Sequence, residues 1–118
     1  MFGFKKTVQL LDAEFSMVLY DATKNKLFAS RCPFGVRGMF IGYRNNEVFI
    51  SSEMKAISEL CDKVIPFPPS TIWSSDNIES FETYYEIPSI PVPVKEELVL
   101  KGIKDYFTKA VEKRIELT

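Results

Sequence analysis

The stretch "RCPFGVRGMF", residues 31–40, holds the most chemically capable residues of the chain in the least space. Cys32 is a candidate nucleophile, with Arg31 and Arg37 near enough to favour a thiolate. A thiolate nucleophile also needs a group to take its proton. The sequence contains no histidine, so Ser-His and Cys-His catalysis and most zinc sites are excluded. Pro33 fixes the backbone beside Cys32, while Gly35 and Gly38 permit a positive φ. Those features predict a sharp structural corner with a buried cysteine rather than a reactive pocket. The carboxylates Asp12, Glu14, Asp21 and Glu53 show no metal-ligand or glycosidase-like pairing. "GVRG" lacks the spacing and the lysine of a phosphate loop.

Such a corner needs strands on either side. Glu14–Asp21 alternates Phe15, Met17 and Leu19 with Ser16, Val18 and Tyr20, the period of a strand. Leu27–Ser30 returns after the polar "ATKNK", and Met39–Tyr43 and Val48–Ser51 flank "RNNE", where Asn tolerates a left-handed turn. The expected sheet is an antiparallel meander. Met54, Ile57, Leu60 and Cys61 recur at helical spacing, so a helix is expected over Glu53–Cys61, capped by Ser52. Two strand ends meeting that helix would bring Arg31 beside Glu53 as an ion pair. "FPP" ends regular structure, and a last hairpin or a pair of short strands is expected around Ser75–Asn77. Residues 86–94, with Pro88, Pro91 and Pro93, read as an extended linker. In 95–118, Leu98, Ile103, Phe107, Ala110 and Val111 follow a helical stripe, with Glu96 and Glu97 at its start and Lys113 and Arg114 at its end, as the helix dipole favours.

The composition suits a folded domain. Of 118 residues, 46% are hydrophobic and ten are phenylalanine, which provides for a core, and a net charge of -1 gives no basic stripe for nucleic acid. No stretch approaches membrane-spanning length or a signal peptide. Two cysteines make no disulfide framework, so a reducing, cytoplasmic setting is expected.

Taken together, "LLDAEFSMVLYD", "KLFASRCPFGVRGMFIGY", "VFISSEMKAI" and "IPFPPSTIW" resemble the second half of the glutaminase domain of glutamine-dependent asparagine synthetases, across roughly residues 8–118. The corner alone also resembles other class II amidotransferases; "SSEMKAI" and "FPP", in that order, favour asparagine synthetase. The resemblance implies an α+β fold: mainly antiparallel sheet, part of an Ntn-type αββα sandwich, with one short helix and a C-terminal helix. It implies a partial glutaminase domain over 1–85, the linker 86–94, and a helix over 95–118 leading towards a synthetase domain. Arg31, Gly35, Arg37, Ser52, Glu53 and Lys55 match its structural motifs, and Glu14 and Phe15 are candidate walls of an ammonia path.

Departures from the family pattern fall at Cys32 (aspartate in the family), Gly38 (proline), and Ala13 and Ser70 (glycines). The resemblance implies a nucleophile that is an amino-terminal cysteine, whereas position 2 here is Phe2; the family's glutamine-binding arginine and Asn-Gly-Glu stretch are expected upstream of the matching residues, and its pyrophosphate loop would begin after Thr118. The expectation is therefore a segment with no catalytic or substrate-binding residue and no cofactor of its own, since ATP and Mg are used by the full-length family. It would act only with other chains or segments, its uncovered sheet face and strand edge engaging a protein partner or a second copy. The alternative is a non-catalytic structural subunit derived from this fold.

Overall fold

The structure is a computed structural model that describes residues 3–88 and 95–116. The chain divides into two compact units, Met1–Ile87 and Pro88–Thr118. In the first unit the elements run α1 (Phe4–Leu10), β1 (Ser16–Asp21), β2 (Lys26–Arg31), β3 (Phe40–Arg44), β4 (Glu47–Ser51), a 3₁₀ turn (Met54–Ala56), β5 (Lys63–Pro66), β6 (Thr71–Ser74) and β7 (Asn77–Thr83). The second unit holds α2 (Glu96–Glu116). The fold is α+β, with every strand pairing antiparallel. Of the expected linker only 86–88 lie within the described residues; Pro91 and Pro93 lie outside them, as does Phe2.

The strands do not form one meander. They make two sheets, in the orders β1-β2-β6-β7 and β4-β3-β5. The chain leaves the first sheet after β2, builds the second, and returns to pair β6 against β2, with Ala29 opposite Trp73. Ala29, Met39, Ile41, Phe67 and Trp73 form the buried core, with Tyr43, Val48, Ile50, Ile65, Ile78 and Phe81 packed against it. The core thus draws on both sheets. Alternation along the strands aims Ala29 and Ile41 at this shared interior. The apolar face that the sequence left uncovered is therefore covered by a sheet of the same chain. Two polar groups seal the interior, since Tyr43 Oη and Trp73 Nε1 both donate to the Ile78 carbonyl at 2.9 Å.

Turn chemistry explains the hairpins. Asp21 Oδ1 accepts from the amides of Thr23 and Lys24, and Asn25 takes φ +52° to close the β1–β2 loop. The β3–β4 loop is the pair Asn45–Asn46, with Asn45 at φ +54°. Asparagine adopts this backbone at lower cost than most residues, which is what lets so short a loop reverse the chain.

Outer layers differ more from expectation. α1 was not anticipated; it buries Val8 and stacks Phe4 on Phe28 of β2 with ring centroids 5.0 Å apart. The helix expected over Glu53–Cys61 is a single 3₁₀ turn followed by turns, in which Ile57 N donates to Met54 O and Leu60 N to Ile57 O. Ser52 does not cap it. The Glu53 amide donates to Ser51 Oγ at 3.2 Å instead. Of the expected stripe, Ile57 is buried, while Met54 and Leu60 are exposed.

This short turn sits over β3 because Gly42 leaves it room. A Cβ at Gly42 would lie 2.5 Å from Cys61 Sγ and 3.3 Å from Ile57 Cδ1. Gly42→Ala is expected to destabilise by about 1–3 kcal/mol through overpacking. Adding Cys61→Ala should recover part of that loss in a thermal-unfolding double-mutant cycle, because the closest clash is with the sulfur while Cys61 Cβ, at 3.1 Å, stays in place.

Candidate functional site

Residues 32–39 carry the chain from the first sheet to the second, and residues 67–70 bring it back. Both passages meet at Arg31. Its Nε donates to the Arg37 carbonyl at 2.9 Å, Nη1 to Phe67 at 2.7 Å, and Nη2 to Gly35 at 2.9 Å. The planar fork of the guanidinium suits several fixed acceptors at once. Arg31 therefore does not pair with Glu53. Glu53 lies instead 3.3 Å from Lys55 Nζ, an exposed contact of the kind that contributes little.

Gly35 is demanded twice over. It holds φ +62°, and a Cβ there would meet Pro69 Cγ at 2.9 Å and Arg31 Cζ at 3.0 Å. Tyr84, not singled out in the sequence, closes the other side by donating its hydroxyl to the Arg31 carbonyl at 2.9 Å. Ser70, where the resemblance implies a glycine, adopts φ +63°. Its hydroxyl donates to the Tyr85 carbonyl, which offsets part of the strain.

Cys32 is 2% exposed. Its amide donates to Phe15 O, and its carbonyl accepts from the amides of Gly35 and Ser70. Burial pushes its thiol up, but backbone hydrogen bonds from Phe15, Val36, Arg37 and Gly35 together outweigh that and leave it below the ordinary value of 9.0. The sulfur thus lies among groups that favour negative charge, a setting that would also receive the aspartate found at this position in the resembling family. Tyr84 is pushed up by burial and then by the nearby Cys32. Tyr43 is pushed up by burial and by Glu79.

The sequence candidates separate into two groups. Arg31, Gly35 and the Arg37 backbone meet in one place, joined by the Phe15 carbonyl. Ser52, Glu53 and Lys55 are exposed, and Glu14 is exposed at the entry to β1. Gly38 lies close against the backbone of Ser52, where a Cβ would come 2.9 Å from the carbonyl. A cavity of about 470 Å³ opens beside the corner, between Val8 and Asp12 on one side and Pro33, Phe34, Tyr84 and Tyr85 on the other. Among the described residues no three His, Cys, Asp or Glu side chains cluster as metal ligands, and no helix is long and apolar enough to cross a membrane.

Sequence comparison relates the chain to known proteins. Residues 2–59 match the glutamine amidotransferase domain family. The chain is part of such a domain, and it is of the asparagine synthetase type. It is 40% identical over 116 residues to a probable glutamine-hydrolysing asparagine synthetase of Dictyostelium discoideum, covering 92% of this chain and 20% of that protein. The asparagine synthetase of Triphysaria versicolor is 37% identical over 113 residues, covering 92% of this chain and 19% of that protein. A probable one of Schizosaccharomyces pombe is 34% identical over 96 residues, covering 73% and 17%. The chain thus spans about a fifth of the length of the curated relatives it matches.

Two outcomes follow from the geometry. Arg31→Ala strands three carbonyls and is expected to cost about 2–4 kcal/mol, lowering the melting temperature by of order 10 °C or more. Arg31→Lys should recover little, because one ammonium cannot replace the fork. The second outcome concerns pH. The Cys32 thiol binds its proton less tightly in the folded state, so the unfolded chain holds more protons in the window just below 9.0. Stability is expected to rise with pH through that window and to lose this contribution as pH falls through the folded value. In Cys32→Ser the rise should be missing from denaturant titrations.

Proposed function

We propose that this chain supplies the scaffold of a glutamine-dependent asparagine-synthesising system and that the reacting groups come from other segments or chains. In this reading the nucleophile that attacks the glutamine amide, and the residues that handle ATP and magnesium, lie outside residues 1–118. The released ammonia passes along a path to which Glu14 and Phe15 contribute wall. The sheets complete an αββα sandwich of the Ntn type once the remaining amidotransferase segment is in place. Reducing, cytoplasmic surroundings suit its two free thiols.

One observation carries the reading: the polar cluster at the corner is committed to holding the chain. Arg31 spends its fork on three carbonyls, and the Cys32 sulfur is buried among backbone donors. A guanidinium so engaged has little left for a substrate carboxylate, and a buried sulfur has no approach for an amide carbon. The edge of the first sheet supports dependence on a partner. β1 pairs on one side with β2, and its Val18, Leu19 and Tyr20 are about half exposed. It carries no lysine or proline guard, so it is suited to receive another strand.

The alternative, a structural subunit with no part in asparagine synthesis, rests on the same edge and is separated by assay. The purified chain is expected to show no glutamine hydrolysis. Added to a glutamine-hydrolysing asparagine synthetase from which the equivalent segment has been deleted, it should restore hydrolysis. Turnover by the chain alone would overturn the proposal, and failure to restore activity would favour the structural subunit.

A further inference from the structure

In the scaffold reading Phe15 belongs to the wall of the ammonia path, and a single peptide group holds it in place. Phe15 is half-buried and lies just before β1. Its carbonyl accepts from the Cys32 amide at 2.9 Å, which carries the β1–β2 ladder one step past the Ser16–Arg31 pair. The other end of the same peptide group is engaged as well, because the Arg31 carbonyl accepts from Tyr84 Oη at 2.9 Å. In a planar trans peptide the carbonyl and the amide point in opposite directions. The Arg31–Cys32 group is therefore gripped from both sides, by Tyr84 on one and by Phe15 on the other.

Tyr84 is itself fixed by two further segments. Its amide donates to the Ser70 carbonyl at 3.0 Å, and its carbonyl accepts from Gln9 Nε2 of α1 at 3.3 Å. Ser70 closes the ring, since its own amide donates to the Cys32 carbonyl at 3.2 Å. Burial, and then the nearby Cys32, push the Tyr84 hydroxyl up, so it keeps the proton that it donates. The two anchors of the corner thus divide the work. The guanidinium of Arg31 holds the passages between the sheets, and Tyr84 holds the peptide group that reaches Phe15.

We infer that Tyr84 is a positioning residue for the ammonia-path wall, acting on Phe15 through the Arg31–Cys32 peptide group. The inference rests on the scaffold reading and adds to it the group that sets where Phe15 stands. Without the hydroxyl this peptide is free to tilt, and a tilt carries the Phe15 carbonyl with it. Hydrogen bonds in series also polarise one another, so losing the first weakens the second. Ammonia is small and uncharged, and a wall that yields slightly lets it escape to water.

Tyr84→Phe removes the hydroxyl and keeps the ring. In the isolated chain, hydrogen exchange at the Cys32 amide is expected to quicken about tenfold, while the Ala29 and Trp73 amides keep their rates. An unchanged rate at Cys32 would overturn the inference. The second measurement uses the segment-deleted synthetase, restored with either the unaltered or the Tyr84→Phe chain. Glutamine hydrolysis, and asparagine formed from added ammonium, are expected to be equal in the two. Asparagine formed per glutamine hydrolysed should fall severalfold with Tyr84→Phe, the balance appearing as free ammonia. A role in stability alone would lower all three together or none of them. Either pattern would overturn the inference and leave the scaffold reading standing. Failure of the unaltered chain to restore hydrolysis would instead overturn the scaffold reading, and the inference with it.

Discussion

Everything in the first unit turns on Arg31. A chain that leaves one sheet, builds a second and comes back must hold its exit and its return together at one point. Arg31 does this from the end of β2, on the strand face it shares with Ala29, by donating to Gly35 and Arg37 on the way out and to Phe67 on the way back. Backbone carbonyls are acceptors that no substitution removes, so the staple depends on a single side chain. The rest of the corner leaves it space: Gly35 has no Cβ to strike the guanidinium, and Tyr84 fixes the Arg31 carbonyl from the opposite side.

Given that point of closure, the layers follow from local chemistry. The sheets face each other across Ala29, Ile41, Phe67 and Trp73, and they need only short covers outside. α1 covers the first by means of Val8 and Phe4, and the 3₁₀ turn covers the second by packing Ile57 and Cys61 over Gly42. Seven residues of helix and three of 3₁₀ would not persist alone. Their stability is borrowed from the sheets they lie on. The family relationship fits this economy, since a glutamine amidotransferase segment of the asparagine synthetase type is one part of a much longer protein in its relatives.

Much of this was legible in the sequence. Alternation marked β1 to β4, the asparagines marked their turns, and Ser75–Asn77 marked the β6–β7 hairpin. β5 was hidden because "KVIP" is four residues long and ends in proline, which an edge strand tolerates but pattern reading discounts. The passage from Glu53 to Cys61 has helical spacing, yet Met54 and Leu60 stay exposed and the turn tightens to three-residue bonds; spacing alone cannot tell these apart. The resemblance implied a two-sheet sandwich, but which strands belong to which sheet was not visible in the pattern, because adjacency in sequence favours a meander and the corner breaks it. Arg31 was recognised as structural but assigned to Glu53. A carboxylate can be seen in a sequence, whereas a carbonyl aimed by a distant loop cannot.

The order of the strands also shapes how the molecule is made. Ser30 of β2 donates to the Thr71 carbonyl of β6, 41 residues further along. During translation at about 5–20 residues per second, β2 waits roughly 2–8 s for its inner neighbour to leave the ribosome. Throughout that interval Ala29 and Phe28 stand on an unprotected edge, open to the wrong strand. The small β3–β4–β5 sheet, made wholly within the gap, is well placed to serve as a temporary shield.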